Sequence, residues 1–198
     1  MFRHFTEHLN VKKILYDLKP KVVVECGAEK GKNTVQLLSL GLDVTTITDG
    51  ERLSDDALLK VAEEVGVCID GRLSHLKWIN GISYEELKKF DPDSIDFCSI
   101  DTDHNYWTLK KELEALNSRL KVGGVIILHD MEVFSFDHGE MGGYTFPYPY
   151  PPQISMHGKG GKSLHHALIE FLYWNPGYRI VQWTSDACGA AQVKKQKI

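Results

Sequence analysis

Apolar positions along this chain switch repeatedly between two periods. Short runs rich in apolar and β-branched residues cover Lys21 to Cys26, Asp43 to Thr48, Leu76 to Ile79, Ile95 to Ile100 and Val125 to Leu128. Such runs suit strands covered on both faces. Between them, apolar residues recur every three or four positions, as on a helix with one buried side. This spacing predicts helices over Thr6–Leu18 (Leu9, Val11, Ile14, Leu15, Leu18), Lys32–Leu40, Glu51–Glu64, Trp107–Leu120 and Ser163–Tyr173. Pro20 follows the first helix and Gly41 stops the second. Ser83-Tyr84-Glu85-Glu86 reads as a capping box before a short helix. Asp103 or Asn105 caps the Trp107 helix, and Gly123-Gly124 breaks it. Tyr178–Trp183 and Ala187–Val193 form two final strands, close enough for an antiparallel hairpin at one edge. Strands alternating with helices predict an α/β protein with a mainly parallel sheet.

One stretch breaks this rhythm. Residues 131–162 are rich in Gly, Pro, His and aromatics, including Tyr144 to Pro152. Loops of that length inside a compact domain are usually functional. Two roles stay open: closure over an active site, or contact with a second copy in a homodimer. The chain is read as one domain over 1–198 with this segment as an active-site insertion.

Composition narrows the function classes. A net charge of −4 argues against a nucleic-acid-binding surface. The basic cluster Lys194, Lys195 and Lys197 reads as a solvated tail. Cys26, Cys68, Cys98 and Cys188 are far apart, which disfavours a disulfide framework or a zinc knuckle. No apolar run is long enough for a membrane span, and Met1 to Phe5 carries no signal-peptide core, so a cytoplasmic location is expected.

Candidate chemistry gathers at strand ends. Ligands in open α/β sheets bind outside the carboxyl ends of strands. The first strand ends in Glu25, and Gly27 and Gly31 flank the turn into the next helix, where free backbone N–H groups can meet a ligand. Asp49 ends the second strand; it is either a ribose-binding acid or a turn residue before Gly50. The fourth strand ends in Asp101, followed by Asp103 and His104, and the fifth in His129-Asp130. Asp101 and Asp130 are expected to be neighbours, because adjacent strands lie ~4.8 Å apart. Two carboxylates that close require a cation or a proton between them. Oxygen ligation suits Mg²⁺, whereas nitrogen from His129 favours Mn²⁺ or Fe²⁺. His129 bonded to loop backbone is the alternative.

The spacing E-x-G-x-x-x-G-x-x-T over Glu25, Gly27, Gly31 and Thr34 resembles motif I of class I S-adenosylmethionine-dependent methyltransferases. The segments Asp101 to Tyr106 and Gly123 to Asp130 are similar to those of metal-dependent small-molecule O-methyltransferases, grouped with macrolide-sugar methyltransferases and cephalosporin-hydroxylase-like proteins. The resemblance covers Pro20 to Asp130 and the closing helix and strand pair. It implies a Rossmann-like three-layer sandwich whose seven-stranded, mainly parallel sheet has its last strand antiparallel. It also implies that S-adenosylmethionine lies across the first turn (Glu25, Gly27, Ala28, Gly31, Thr34), with Asp49 at its ribose. Asn80, Gly81 and Ile82 would line the adenine pocket, with Ser83 nearby, and Asp101 and His104 would border the reactive end. A divalent metal, Mg or Mn, would sit at Asp101, His129 and Asp130, with His129 standing where relatives often carry an acid. His104 has the spacing of a general base.

The expected reaction is methyl transfer to a hydroxyl of a small molecule or sugar, with no nucleic acid and no membrane involved. Two other readings stay open. One is a nucleoside-binding sensor or accessory protein that does not methylate. The other is a nicotinamide-dependent oxidoreductase, which the absence of G-x-G-x-x-G disfavours.

Overall fold

The computed structural model describes residues 9–131, 163–185 and 189–197. Its seven strands are β1 (Val23–Cys26), β2 (Val44–Thr48), β3 (Leu76–Asn80), β4 (Ile95–Ile100), β5 (Leu120–His129), β6 (Tyr178–Thr184) and β7 (Ala190–Lys195). The helices are α1 (Val11–Leu18), α2 (Lys32–Ser39), α3 (Asp55–Glu64), α4 (Ser83–Leu87), α5 (Tyr106–Asn117) and α6 (Leu164–Trp174).

The strands form one sheet in the order β3-β2-β1-β4-β5-β7-β6. β1 to β5 pair in parallel, and β7 lies antiparallel between β5 and β6. The hairpin thus completes one edge of a seven-stranded sheet. Two buried clusters cover the two faces. Val23, Val44, Phe97, Val125 and Ile127 pack with α1, α2 and α3 on one side. Val24, Cys98, Ile100, Ile126 and Leu128 pack with α5 and α6 on the other. Alternate residues of β1, β4 and β5 feed opposite layers, and this is why both faces of these strands carry apolar residues. The chain reverses its direction of winding between β1 and β4, so a crevice opens at their carboxyl ends.

Three local expectations need correction. Gly123-Gly124 does not end the helix: α5 already stops at Asn117, with Ser118 as its C-cap. The two glycines lie within β5, where its register against β4 jumps from the Ile95–Leu120 pair to the Phe97–Val125 pair. A side chain on Gly124 would meet Leu120 Cγ at 2.8 Å, so the irregular stretch needs its small residue. Ser83 is the first residue of α4 rather than its cap, which is Ile82, and its hydroxyl is engaged elsewhere. The third helix begins at Asp55, four residues later than expected, because Ser54 caps it by accepting from Ala57 N at 3.1 Å. The cap of α5 is Asn105, whose Oδ1 accepts from Thr108 N at 2.9 Å.

The aromatic stretch Tyr144 to Pro152, and with it the expected active-site insertion, lies outside the described residues, as does Cys188. Among the described residues no helix is long and apolar enough to cross a membrane.

Candidate active site

β1 ends at the reversal point, and its turn is held by its neighbours. Gly27 N donates to Ile47 O at 2.9 Å, and Asp101 N donates to Cys26 O at 2.9 Å. Gly27 has φ +88°, and a Cβ there would lie 2.0 Å from the Asp101 carbonyl oxygen. The close approach that demands glycine is therefore to the protein's own β4 end. Gly31 has φ +76° and caps α2; a Cβ there would press on Leu53 and Leu58 at 3.0 Å. Ala28 is buried between them, and its carbonyl accepts from Gly31 N at 2.6 Å.

Glu25 is only 1% exposed, under α2. Its Oε2 accepts from Thr34 Oγ1 at 2.6 Å and from Thr46 Oγ1 at 2.7 Å. Its Oε1 is buried with no hydrogen-bond partner among the described residues. Burial pushes the carboxyl up to about 7; the two threonine hydroxyls oppose that rise and the Asp101 charge adds to it. Thr34 is fully buried, so it acts as a strut for Glu25.

Asp49 is exposed just beyond β2, and Asn80 is exposed at the end of β3. Thr48 and Asn80 are register partners, and Gly81 N donates to Thr48 O at 2.8 Å. Asp49 and the Asn80–Ile82 segment therefore leave the sheet side by side. Ser83 is buried and turned inward, donating to Glu112 Oε1.

The ends of β4 and β5 meet as expected, with a difference in which histidine joins them. His104 Nε2 lies 3.2 Å from Asp101 Oδ1 and 2.8 Å from Asp130 Oδ2. Ligand atoms of Asp101, His104 and Asp130 all fall within 4.8 Å of one another, a set that could hold a metal ion. The expected third ligand, His129, is not in that set. It is the last residue of β5, held in register against Ala190 of β7. His104 reaches the carboxylates because it sits in a turn at φ 53°, and Asp130 turns back at φ 55°. Left-handed backbone at two non-glycine residues is costly and concentrates where geometry matters for function. His129 still lines the small cleft here, with Asp101, Thr102, His104 and the apolar Ile100, Leu109, Leu128 and Leu164.

The electrostatics follow from this packing. Burial disfavours a charged His104, but bonds to Asp101 and Asp130 outweigh it and raise the imidazole to about 9. Burial likewise opposes ionisation of Asp101, yet His104, His129 and the Asn33 amide hold it below the ordinary carboxylate range.

Two residues were missed in the sequence. Asn33, in the first turn of α2, donates to Asp101 Oδ2 at 3.2 Å and ties the first turn to the fourth strand end. Glu112 lies fully buried in α5. Its signal was present: an acid at the 109, 112, 113, 116 spacing of the apolar side.

Comparison with known proteins shows the family and the fold. A methyltransferase-domain family model matches residues 24–131, more than half of the chain, and the chain belongs to that family. No curated protein sequence matches the chain. Among solved structures, a candidate caffeoyl-CoA O-methyltransferase of Staphylococcus aureus superposes with a TM-score of 0.63 at 18% identity, covering 98% of this chain and 85% of that one. The O-methyltransferase TomG of Streptomyces achromogenes, involved in tomaymycin synthesis and solved with S-adenosylmethionine, gives 0.61 at 13% identity over 95% and 78%. The methyltransferase PaMTH1 of Podospora anserina, bound to S-adenosylhomocysteine, gives 0.57 at 16% over 93% and 76%. The seven-stranded Rossmann-like methyltransferase fold is thus shared with these proteins.

Proposed function

We propose that this protein transfers a methyl group from S-adenosylmethionine to a hydroxyl of a small molecule or sugar. The observation that carries this reading is the placement of two unlike sites at one reversal point. A glycine turn with a buried acid stands beside an Asp–His–Asp cluster, joined through Asn33 and the Gly27–Asp101 contact.

The residues present suit the donor. Glu25 Oε1 is a buried acceptor without a hydrogen-bond donor among the described residues, as a site for an α-ammonium would provide, directly or through water. Gly27, Ala28, Gly31 and Thr34 shape that end. Asp49 offers an exposed carboxylate for ribose hydroxyls, and Asn80, Gly81 and Ile82 form the adenine side, with Ser83 buried behind them. When bound, S-adenosylmethionine supplies an activated methyl group on a sulfonium.

The chain's own task is to aim an acceptor oxygen and take its proton. Asp101 and Asp130 would hold a divalent ion, Mg²⁺ or Mn²⁺, with His129 at its margin; such an ion would acidify a bound hydroxyl. His104, displaced from the two carboxylates by that ion, is the proposed base. Its two carboxylate partners keep it protonated at neutral pH, so His104 accepts a proton only when Asp101 and Asp130 are engaged by another cation. The chain is proposed to act as a single domain. A sensor role is less well supported, because simple nucleoside binding has no use for the Asp–His–Asp cluster.

Calorimetric titration with S-adenosylmethionine and S-adenosylhomocysteine tests the donor assignment. Binding of both in the micromolar range is expected, and no heat from either with folded protein would overturn it. Binding of NADH instead would favour the oxidoreductase.

A further inference from the structure

Glu112 has no part in the reading so far. It occupies the apolar side of α5 among Leu109, Leu113 and Leu116, where a leucine would pack without any polar group to satisfy. Its two oxygens face two different segments. Oε1 accepts from Ser83 Oγ, and Oε2 accepts from Thr102 Oγ1 at 3.2 Å. Ser83 follows directly on Asn80 to Ile82, the proposed adenine side. Thr102 follows directly on Asp101, at the proposed reactive end.

The rest of the Thr102 loop is fixed to the start of α5. Asp103 Oδ2 accepts from Asn105 Nδ2 at 2.7 Å and from Thr108 Oγ1 at 2.9 Å. Glu112 ties Thr102 to α5 and carries the anchoring on to α4 through Ser83. We infer that Glu112 is a positioning residue that braces the Asn80–Ser83 and Asp101–His104 loops against each other through Ser83 and Thr102, so that donor affinity depends on the two hydroxyls jointly. The inference rests on the donor reading above.

Chemistry supports a bracing role. Burial and the Asp103 charge raise Glu112 to about 8, so at neutral pH it is carried as an acid with both donor and acceptor capacity. Serine and threonine hydroxyls can likewise give or take a hydrogen bond, so a glutamine in its place keeps both contacts.

The test is a calorimetric titration of S-adenosylhomocysteine into the full chain and into S83A, T102V, S83A/T102V, E112Q and E112A, with a thermal melt of each. Each single hydroxyl deletion should weaken binding about three- to tenfold, and the double variant should be no more than about twofold worse than the poorer single, because the brace is broken once. E112Q should bind within about twofold of the parent, and E112A as weakly as the double variant. A simple side-chain packing role predicts multiplicative losses from S83A and T102V, and a role that needs the carboxyl group itself predicts no rescue by glutamine; either result overturns the inference. Should E112A fail to fold, the Ser83–Thr102 cycle decides alone, since its variants retain Glu112. Absence of binding by the parent would overturn the donor reading and this inference with it, whereas binding with multiplicative losses overturns only the brace.

Discussion

His104 and Asp130 meet at 2.8 Å although they leave different strands, β4 and β5. The contact exists because both residues take left-handed backbone, His104 four residues past β4 and Asp130 directly past β5. It completes, with Asp101, a cluster of one imidazole nitrogen and two carboxylates. An imidazolium and a divalent ion are alternative cations for the same pair of carboxylates.

This competition makes a metal measurement informative. Mn²⁺ should bind the full chain, followed by its loss of free-ion EPR signal. Asp101→Asn and Asp130→Asn should each reduce that affinity by at least about tenfold. Turnover that survives complete chelation by EDTA would remove the metal role from these residues.

The base assignment has a different signature. His104→Ala should lower turnover by about 10²–10⁴-fold, the usual contribution of a positioned base, while changing S-adenosylmethionine affinity far less. Single-turnover kinetics with an accepted substrate would separate the two. Unchanged turnover would assign the proton to another group.

Glu25 predicts a pH dependence with a definite sign. Burial raises its carboxyl from the ordinary 4.5 to about 7. Between those values the folded protein keeps a proton that the unfolded chain gives up, so Glu25 lowers stability as pH rises through the window and adds no further slope above it. Glu25→Gln should remove that slope in urea unfolding measured across the window. An ammonium ligand near Glu25 favours its ionised form, so S-adenosylhomocysteine should bind more tightly at about pH 8 than at about pH 6 in the parent, and equally at both in Glu25→Gln.

Gly27 is a fold requirement as much as a site residue. Gly27→Ala places a methyl 2.0 Å from the Asp101 carbonyl oxygen at φ +88°. The two strand ends must separate, and a loss above about 3 kcal/mol is expected in chemical denaturation. Asp49→Ala is the contrasting case. Asp49 is exposed beyond β2, so its removal should weaken donor binding with a change in stability within about 0.5 kcal/mol.

Much of this architecture was legible before any tertiary contact was known. The Ile95–Ile100 strand, the acids at the ends of β1, β4 and β5, and a cap at Asp103 or Asn105, which the structure gives to Asn105, come from local rules: apolar runs for covered strands, and side chains that serve the backbone one turn away. Gly123-Gly124 misled because glycine marks both a helix end and an irregular strand, and only pairing with β4 distinguishes them. Ser83 misled because its local role as a cap competes with a distant partner, Glu112.

By itself, then, the sequence determined where strands end and which chemical groups stand at those ends, because burial periodicity and turn residues act over a few positions. Only the tertiary structure decided which groups meet. Strand order placed Gly27 against Asp101, register held His129 opposite Ala190, and two left-handed turns brought His104 to Asp130. These contacts depend on pairing between distant segments and on backbone states that no local pattern specifies.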